Sequence, residues 1–129
     1  MLTAVIQGPF TSPDRAHQLK HLLVANTAAF ACARAGVSPI VPHWNTAWLD
    51  GTISAHFWYE ATLELSRRAD FQIFVPGWER SRGCLDEHAW GLVKGKTQVM
   101  LHAVPLLAFE KELPPDVWVT QIREAARGL

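Results

Sequence analysis

Apolar positions along this chain form short unbroken runs, and between the runs they recur every three or four residues. That is the pattern of strands alternating with helices. The first run, Leu2 to Gln7, closes on Gly8-Pro9-Phe10 and reads as a strand. Ser12-Pro13 follows, a capping residue and then a proline whose fixed φ and missing N–H suit the first helical position. Ala16, Leu19, Leu23, Asn26, Phe30 and Ala33 recur at helical spacing until Gly36, a residue suited to the left-handed turn that ends a helix. Val37 to Val41 is predicted as the second strand. Pro42-His43-Trp44-Asn45 leaves it, and residues 44 to 53 form a loop rich in Trp, Asp, Gly and Thr. Ser54 caps a second helix reaching Ala69, with Phe57, Ala61 and Leu65 along one stripe. Phe71 to Val75 is a buried strand, Gly83 to Val93 the third helix with Gly95 as its stop, and Thr97 to His102 the fourth strand. Leu106 to Phe109 is a weaker fifth, and Pro114-Pro115-Asp116 and Gly128 bracket a last helix.

Strands alternating with helices of this length predict one α/β domain over residues 1 to 129, a parallel sheet with helices on both faces joined by right-handed crossovers. In such sheets ligands bind beyond the carboxyl ends of the strands, where the winding reverses. A strand order of 2-1-3-4-5 puts that point between strands 1 and 3. The loops there are Gly8-Pro9-Phe10 and the segment from Pro76-Gly77-Trp78 to Gly83, the two richest in turn chemistry.

The second of these loops carries the chemistry. Backbone N–H groups at a helix start are unpaired and partly positive, so Ser81, Gly83 and the amides after them can hold a phosphate or another oxyanion. Glu87 is expected on the first turn of the same helix, where the dipole favours a carboxylate suited to act as nucleophile or electrostatic stabiliser. Arg80 and Arg82 beside the turn fit phosphate through their guanidinium forks. Cys84 sits where a thiolate can be stabilised, with simple packing as its plainer role.

Charge and composition narrow the partners. Twelve basic and twelve acidic residues cancel, so there is no general attraction to nucleic acid or to an anionic membrane, and any phosphate must be held locally. No apolar run approaches the roughly 18 residues needed to span a bilayer, and Met1 to Ile6 lacks a basic leader pattern, which predicts a cytoplasmic protein. Cys32 and Cys84 form no CxxC pattern and are expected to be reduced. His17 and His21 stand four apart but have no accompanying ligand cluster, so a solvated helix face is expected, with no metal and no cofactor. Of the six tryptophans, Trp44, Trp48 and Trp58 surround the loop after strand 2 and suit a base-stacking pocket or a subunit interface, while Trp78 and Trp90 suit the core.

Taken together, Gly8-Pro9-Phe10, Pro42-His43, Ala69-Asp70, Pro76-Gly77-Trp78 and Ser81-x-Gly83-x-x-x-Glu87 followed by Ala89 resemble the nucleoside 2-deoxyribosyltransferase-like superfamily. The likeness is to a branch of small bacterial and phage proteins related to the 2′-deoxynucleoside 5′-phosphate N-hydrolases, and it covers residues 1 to about 102. It implies a flavodoxin-like, Rossmann-like three-layer sandwich that cleaves or exchanges the N-glycosidic bond of deoxynucleosides or their 5′-monophosphates. It also implies that Glu87 attacks the anomeric carbon and that Ser81, Gly83 and the loop Gly8-Pro9-Phe10 hold the 5′-phosphate; Asp70, Gly77, Trp78 and Arg82 are the further binding candidates, with local capping or pairing at the strand start as the plainer role of Asp70 and a hydrogen-bonded loop residue as that of His43. A homo-oligomer whose subunits complete each other's sites is the corresponding expectation. Two family positions differ: a strand-1 Tyr matches Val5, and an acid that assists at the base matches Thr62. Tyr59, one helical turn before Thr62, and His43, a loop imidazole able to donate to a base nitrogen, are the candidate substitutes. Two functions follow. One is an N-glycosidase or glycosyl transferase with Glu87 as nucleophile, and the other is a non-catalytic nucleotide-binding or sensor protein in which Val5 and Thr62 mark lost turnover.

Overall fold

The computed structural model describes residues 1–10, 14–45, 49, 51–105 and 113–129. Its order is β1 (Thr3–Gln7), α1 (Arg15–Arg34), β2 (Ser38–Ile40), α2 (Pro42–Asn45), α3 (Ala55–Ser66), β3 (Phe71–Phe74), α4 (Arg82–Lys94), β4 (Thr97–Met100) and α5 (Asp116–Arg127), with a 3-10 turn over Trp78–Arg80. Among the described residues four strands lie in the order β2-β1-β3-β4, every pair parallel. This is the expected α/β architecture and order. The proposed fifth strand, Leu106 to Phe109, lies outside the described residues, as do Ser12, Pro13 and Trp48.

Local signals set most element ends. The Ser54 hydroxyl accepts from Phe57 N at 3.2 Å, and Gly95, at φ 70°, takes the left-handed conformation that ends α4. Helix α1 starts behind Asp14, not Ser12: its carboxylate accepts from Ala16 N at 2.9 Å and meets His17 Nδ1 at 2.8 Å. The Ala16 amide and then the His17 ring hold that carboxyl below the usual range. The second helix ends at Ser66 with Arg67 as its cap, three residues earlier than expected. Helix α2 is a single turn where a loop was expected.

Both faces of the sheet are covered, and they differ in kind. Alternate residues point to opposite sides. Ala4, Ile6, Phe71, Ile73, Val75, Val99 and Leu101 join Ala25, Ala28, Ala31 and Cys32 of α1 and Trp118, Val119 and Ile122 of α5 in one apolar core. The α1 stripe picked out by spacing points outward, with Leu19 at 60% and Leu23 at 62% exposure. Alanines make the inner face because small side chains let the helix approach the strands closely. Trp118 is fully buried and donates its indole N–H to the His102 carbonyl at 2.7 Å, whereas Trp78 and Trp90 are only half-buried.

The opposite face carries glutamines. Gln72 donates to the Glu87 carbonyl at 3.1 Å, and Gln98 donates to Gln72 Oε1 at 2.8 Å and to the His88 carbonyl at 2.9 Å. Gln72 and Gln98 are direct neighbours in the β3–β4 register. This amide network fixes how α4 rests on the sheet. Gly91 allows it, because a Cβ there would stand 2.0 Å from Gln72 Oε1.

Candidate active site

At the carboxyl ends of β1 and β3 the chain encloses a cleft of about 490 Å³. Gln7 to Phe10 form one wall, Pro42 and His43 the next, and Tyr59, Thr62, Leu63 and Ser66 of α3 the third. Residues Arg80 to Cys84 and Glu87 close it. Gly8 is required by close approach, since a Cβ would lie 2.7 Å from Val75 Cγ2. The Ser81 hydroxyl caps α4 by accepting from Cys84 N at 3.3 Å. That leaves the Arg82 and Gly83 amides, which no intrahelical carbonyl can reach, at the cleft wall. Among the described residues only Ser81 Oγ, at 3.9 Å, stands near the Cβ position of Gly83, so a side chain there would meet no crowding.

Glu87 lies in the second turn of α4 rather than the first, because the helix already begins at Arg82. It is therefore turned inward and paired, its carboxylate side chain only 7% exposed. Arg67 at the end of α3 grips it: Nη2 donates to Oε1 at 2.9 Å, and Nε approaches Oε1 and Oε2 at 3.3 and 3.4 Å. The guanidinium lies 4.8 Å from the centre of the Trp90 ring. A buried carboxylate gripped by a positive fork at a cleft wall is held in one orientation. The helix dipole is not its main partner; Arg67 is.

The cleft gathers most of the residues singled out by sequence: Gly8, Pro9, Phe10, His43, Tyr59, Ser81, Arg82, Gly83 and Glu87. Tyr59 and Thr62 share the α3 wall, with Tyr59 half exposed and the Thr62 hydroxyl accepting from Asn45 Nδ2 at 3.3 Å. Arg82 is at the rim, its Nε 3.2 Å from Asp86.

Three residues are elsewhere. Asp70 is at the amino end of β3, accepting from Thr3 N at 2.8 Å, and so stands at the opposite edge of the sheet from the cleft. Gly77 shapes the turn after β3 with φ 92°, and Trp78 packs against Phe74 and His88 at ring distances of 4.9 Å each. Neither lines the cleft.

His43 is in the cleft but with its proton committed. The Pro9 carbonyl can only accept, so Nε2 at 3.1 Å carries the hydrogen, while Nδ1 is buried without a hydrogen-bond partner among the described residues. Burial pushes its pKa down, against the Pro9 carbonyl, which raises it. In this structure His43 is held by its hydrogen bond, and donation to a base requires the Nε2–Pro9 bond to break. Cys84 takes its plainer packing role: burial pushes its thiol upward despite the Ser81 hydroxyl, and Glu87 adds to the rise. Val5 is fully buried in β1 and absent from the cleft wall.

Sequence reading missed Gln7, Ser66 and above all Arg67. Polar residues inside otherwise apolar strands were the available signal for Gln7, Gln72 and Gln98. Arg67 gave none, since a helix-end arginine beside Arg68 looks like any surface cation.

No protein-family model matches this chain, and no curated protein sequence does. A solved structure of the 2-deoxyribosyltransferase of Bacillus psychrosaccharolyticus is similar in shape, with a TM-score of 0.58 at 18% identity over 81% of this chain and 78% of that one. The strand order, the crossovers and this likeness agree: the chain has a nucleoside 2-deoxyribosyltransferase-like fold.

Proposed function

We propose that this protein cleaves or transfers the N-glycosidic bond of nucleosides or deoxynucleosides, or of their 5′-monophosphates, with Glu87 as nucleophile. The observation that carries the reading is the Glu87 carboxylate, buried and oriented by Arg67 at the wall of a cleft that the start of the same helix, Arg82 and Gly83, also lines. The structural neighbour acts in 2-deoxyribosyl transfer, which is the same class of reaction. A Glu87 oxygen gives its electron pair to the anomeric carbon, and the C–N bond breaks with its pair going to the departing base, which takes up a proton. Water or a second base then attacks the same carbon and frees the carboxylate. In this reading Tyr59, which lines the α3 wall one helical turn before Thr62, donates to the base. A phosphate would bind at Ser81 to Gly83 through amides and helix dipole, with Arg80 and Arg82 at the rim. A homo-oligomer with sites near the subunit boundary belongs to the same proposal and is checked by sedimentation analysis.

A second reading, a nucleotide-binding module without turnover, is favoured by Thr62, which lines the cleft at the position where the resemblance implies an acid. Chromatographic detection of free base, after incubation with a panel of deoxy- and ribonucleosides and their 5′-monophosphates, separates the two. Release by the wild type and loss in Glu87→Ala supports the enzyme. Binding without release from any member supports the module.

A further inference from the structure

We propose that Arg67 is the positioning residue of Glu87 and that its largest effect falls on the second half of the reaction, the release of the sugar from the carboxylate; this rests on the reading under Proposed function. Every hydrogen bond to the Glu87 carboxylate among the described residues comes from the Arg67 guanidinium. Arg67 holds its place because it caps α3 directly after Ser66, which is buried and lines the cleft, and because its guanidinium carbon lies over the Trp90 ring. A guanidinium held over an aromatic face and bonded to both carboxylate oxygens has few orientations left, so the carboxylate it grips has few as well.

The charge changes along the reaction decide which step this favours. In the first step a Glu87 oxygen bonds to the anomeric carbon and the base departs with the C–N electron pair. The carboxylate charge is consumed in an ester, and Arg67 loses its partner. In the second step a water oxygen bonds to that carbon, the ester C–O bond breaks with its electron pair returning to Glu87, and the water proton passes to solvent. Negative charge then develops directly against the guanidinium, in a site that is already arranged for it. Arg67 therefore steadies the starting carboxylate, a modest brake on attack, and stabilises the carboxylate as it departs.

The test is acid-quenched intact-protein mass spectrometry alongside base release, on wild type, Arg67→Ala, Arg67→Lys and Glu87→Ala, using the substrate that the wild type turns over. For Arg67→Ala the expected result is an initial burst of one base per protein, a mass gain of one sugar, and steady release slower by on the order of 100-fold, the loss typical of one aimed donor. Arg67→Lys keeps the charge without the planar fork; it is expected to show the same burst with a smaller loss, and it remains informative if removing the whole side chain prevents folding. Glu87→Ala shows neither burst nor mass gain. Wild-type turnover in both Arg67 variants overturns the inference, and so does slow release without burst or ester in folded Arg67→Lys, which would mark a purely structural role. No base released by the wild type from any substrate overturns the underlying reading and this inference with it.

Discussion

Replacing Gly91 by alanine sets helix propensity against packing, and the structure decides between them. In an exposed helix interior the change would gain about 1 kcal/mol. Here the new Cβ would stand 2.0 Å from Gln72 Oε1 and 2.4 Å from Gln98 Nε2. These atoms end flexible side chains, but they are tied in place: Gln72 is 2% exposed, Gln98 is half-buried, and the two amides are joined to each other and to the Glu87 and His88 carbonyls. Turning them aside breaks three hydrogen bonds worth roughly 1 kcal/mol each and leaves buried groups unpaired. Lifting α4 off the sheet instead costs roughly 1–3 kcal/mol of overpacking strain. With contacts as short as 2.0 Å the strain lies at the upper end of that range, and since the protein takes the cheaper of the two routes the expected net destabilisation is about 2 kcal/mol. Urea unfolding followed by tryptophan fluorescence measures it from the midpoint and slope. Adding Gln98→Ala removes one of the two crowding atoms, so the double variant should fall short of the summed single losses. A Gly91→Ala protein as stable as wild type, or more stable, refutes the argument that the amide network sets the seat of α4.

Gly83→Ala is the counterpart: its Cβ has open space, so stability should stay the same or rise by up to about 1 kcal/mol, while the KM for 5′-monophosphates rises as the methyl group covers the amide; an unchanged KM would remove the phosphate from that amide. His43 titrates below its ordinary value of 6.5 in the folded chain, so the unfolded chain binds more protons. Its contribution to stability is present above that value and is lost as pH falls through the folded pKa. Thermal unfolding between about pH 7 and pH 5 should therefore show a steeper loss for wild type than for His43→Gln, and parallel curves would contradict the assignment. Burial holds Cys32 up to about 12 and raises Cys84 also, so both thiols should resist a disulfide labelling reagent in the native protein and react on unfolding; rapid native labelling of Cys84 would restore it as a candidate nucleophile.

Much of the scaffold was legible because it depends on local chemistry. Apolar runs and helical spacing mark where strands and helices lie, and residues such as Ser54, Ser81 and Gly95 mark their ends through hydrogen bonds and φ values that involve only near neighbours. Strict alternation then implies a parallel sheet, and a parallel sheet implies a cleft at the carboxyl ends of the strands. On that basis the loops after β1 and β3 could be named as the site without coordinates.

The inner face of α1 was not legible, because an alanine face that packs closely and a leucine face left outside have the same period, and only the docked sheet chooses between them. Glu87 stood out as a carboxylate near a helix start, yet its partner Arg67 comes from the end of the preceding helix and meets it only after β3 has crossed between them. Asp70 and His43 show the same division. Each has a residue type suited to a site, but strand direction carries Asp70 to the opposite edge, and the Pro9 carbonyl accepts the hydrogen bond from His43 Nε2. The sequence by itself determined the elements, their parallel order and the rim of the cleft, since these follow from periodicity and turn chemistry. Only the tertiary structure decided which charges pair and which hydrogen bonds are already taken, because those interactions act between groups that are distant along the chain and close in space.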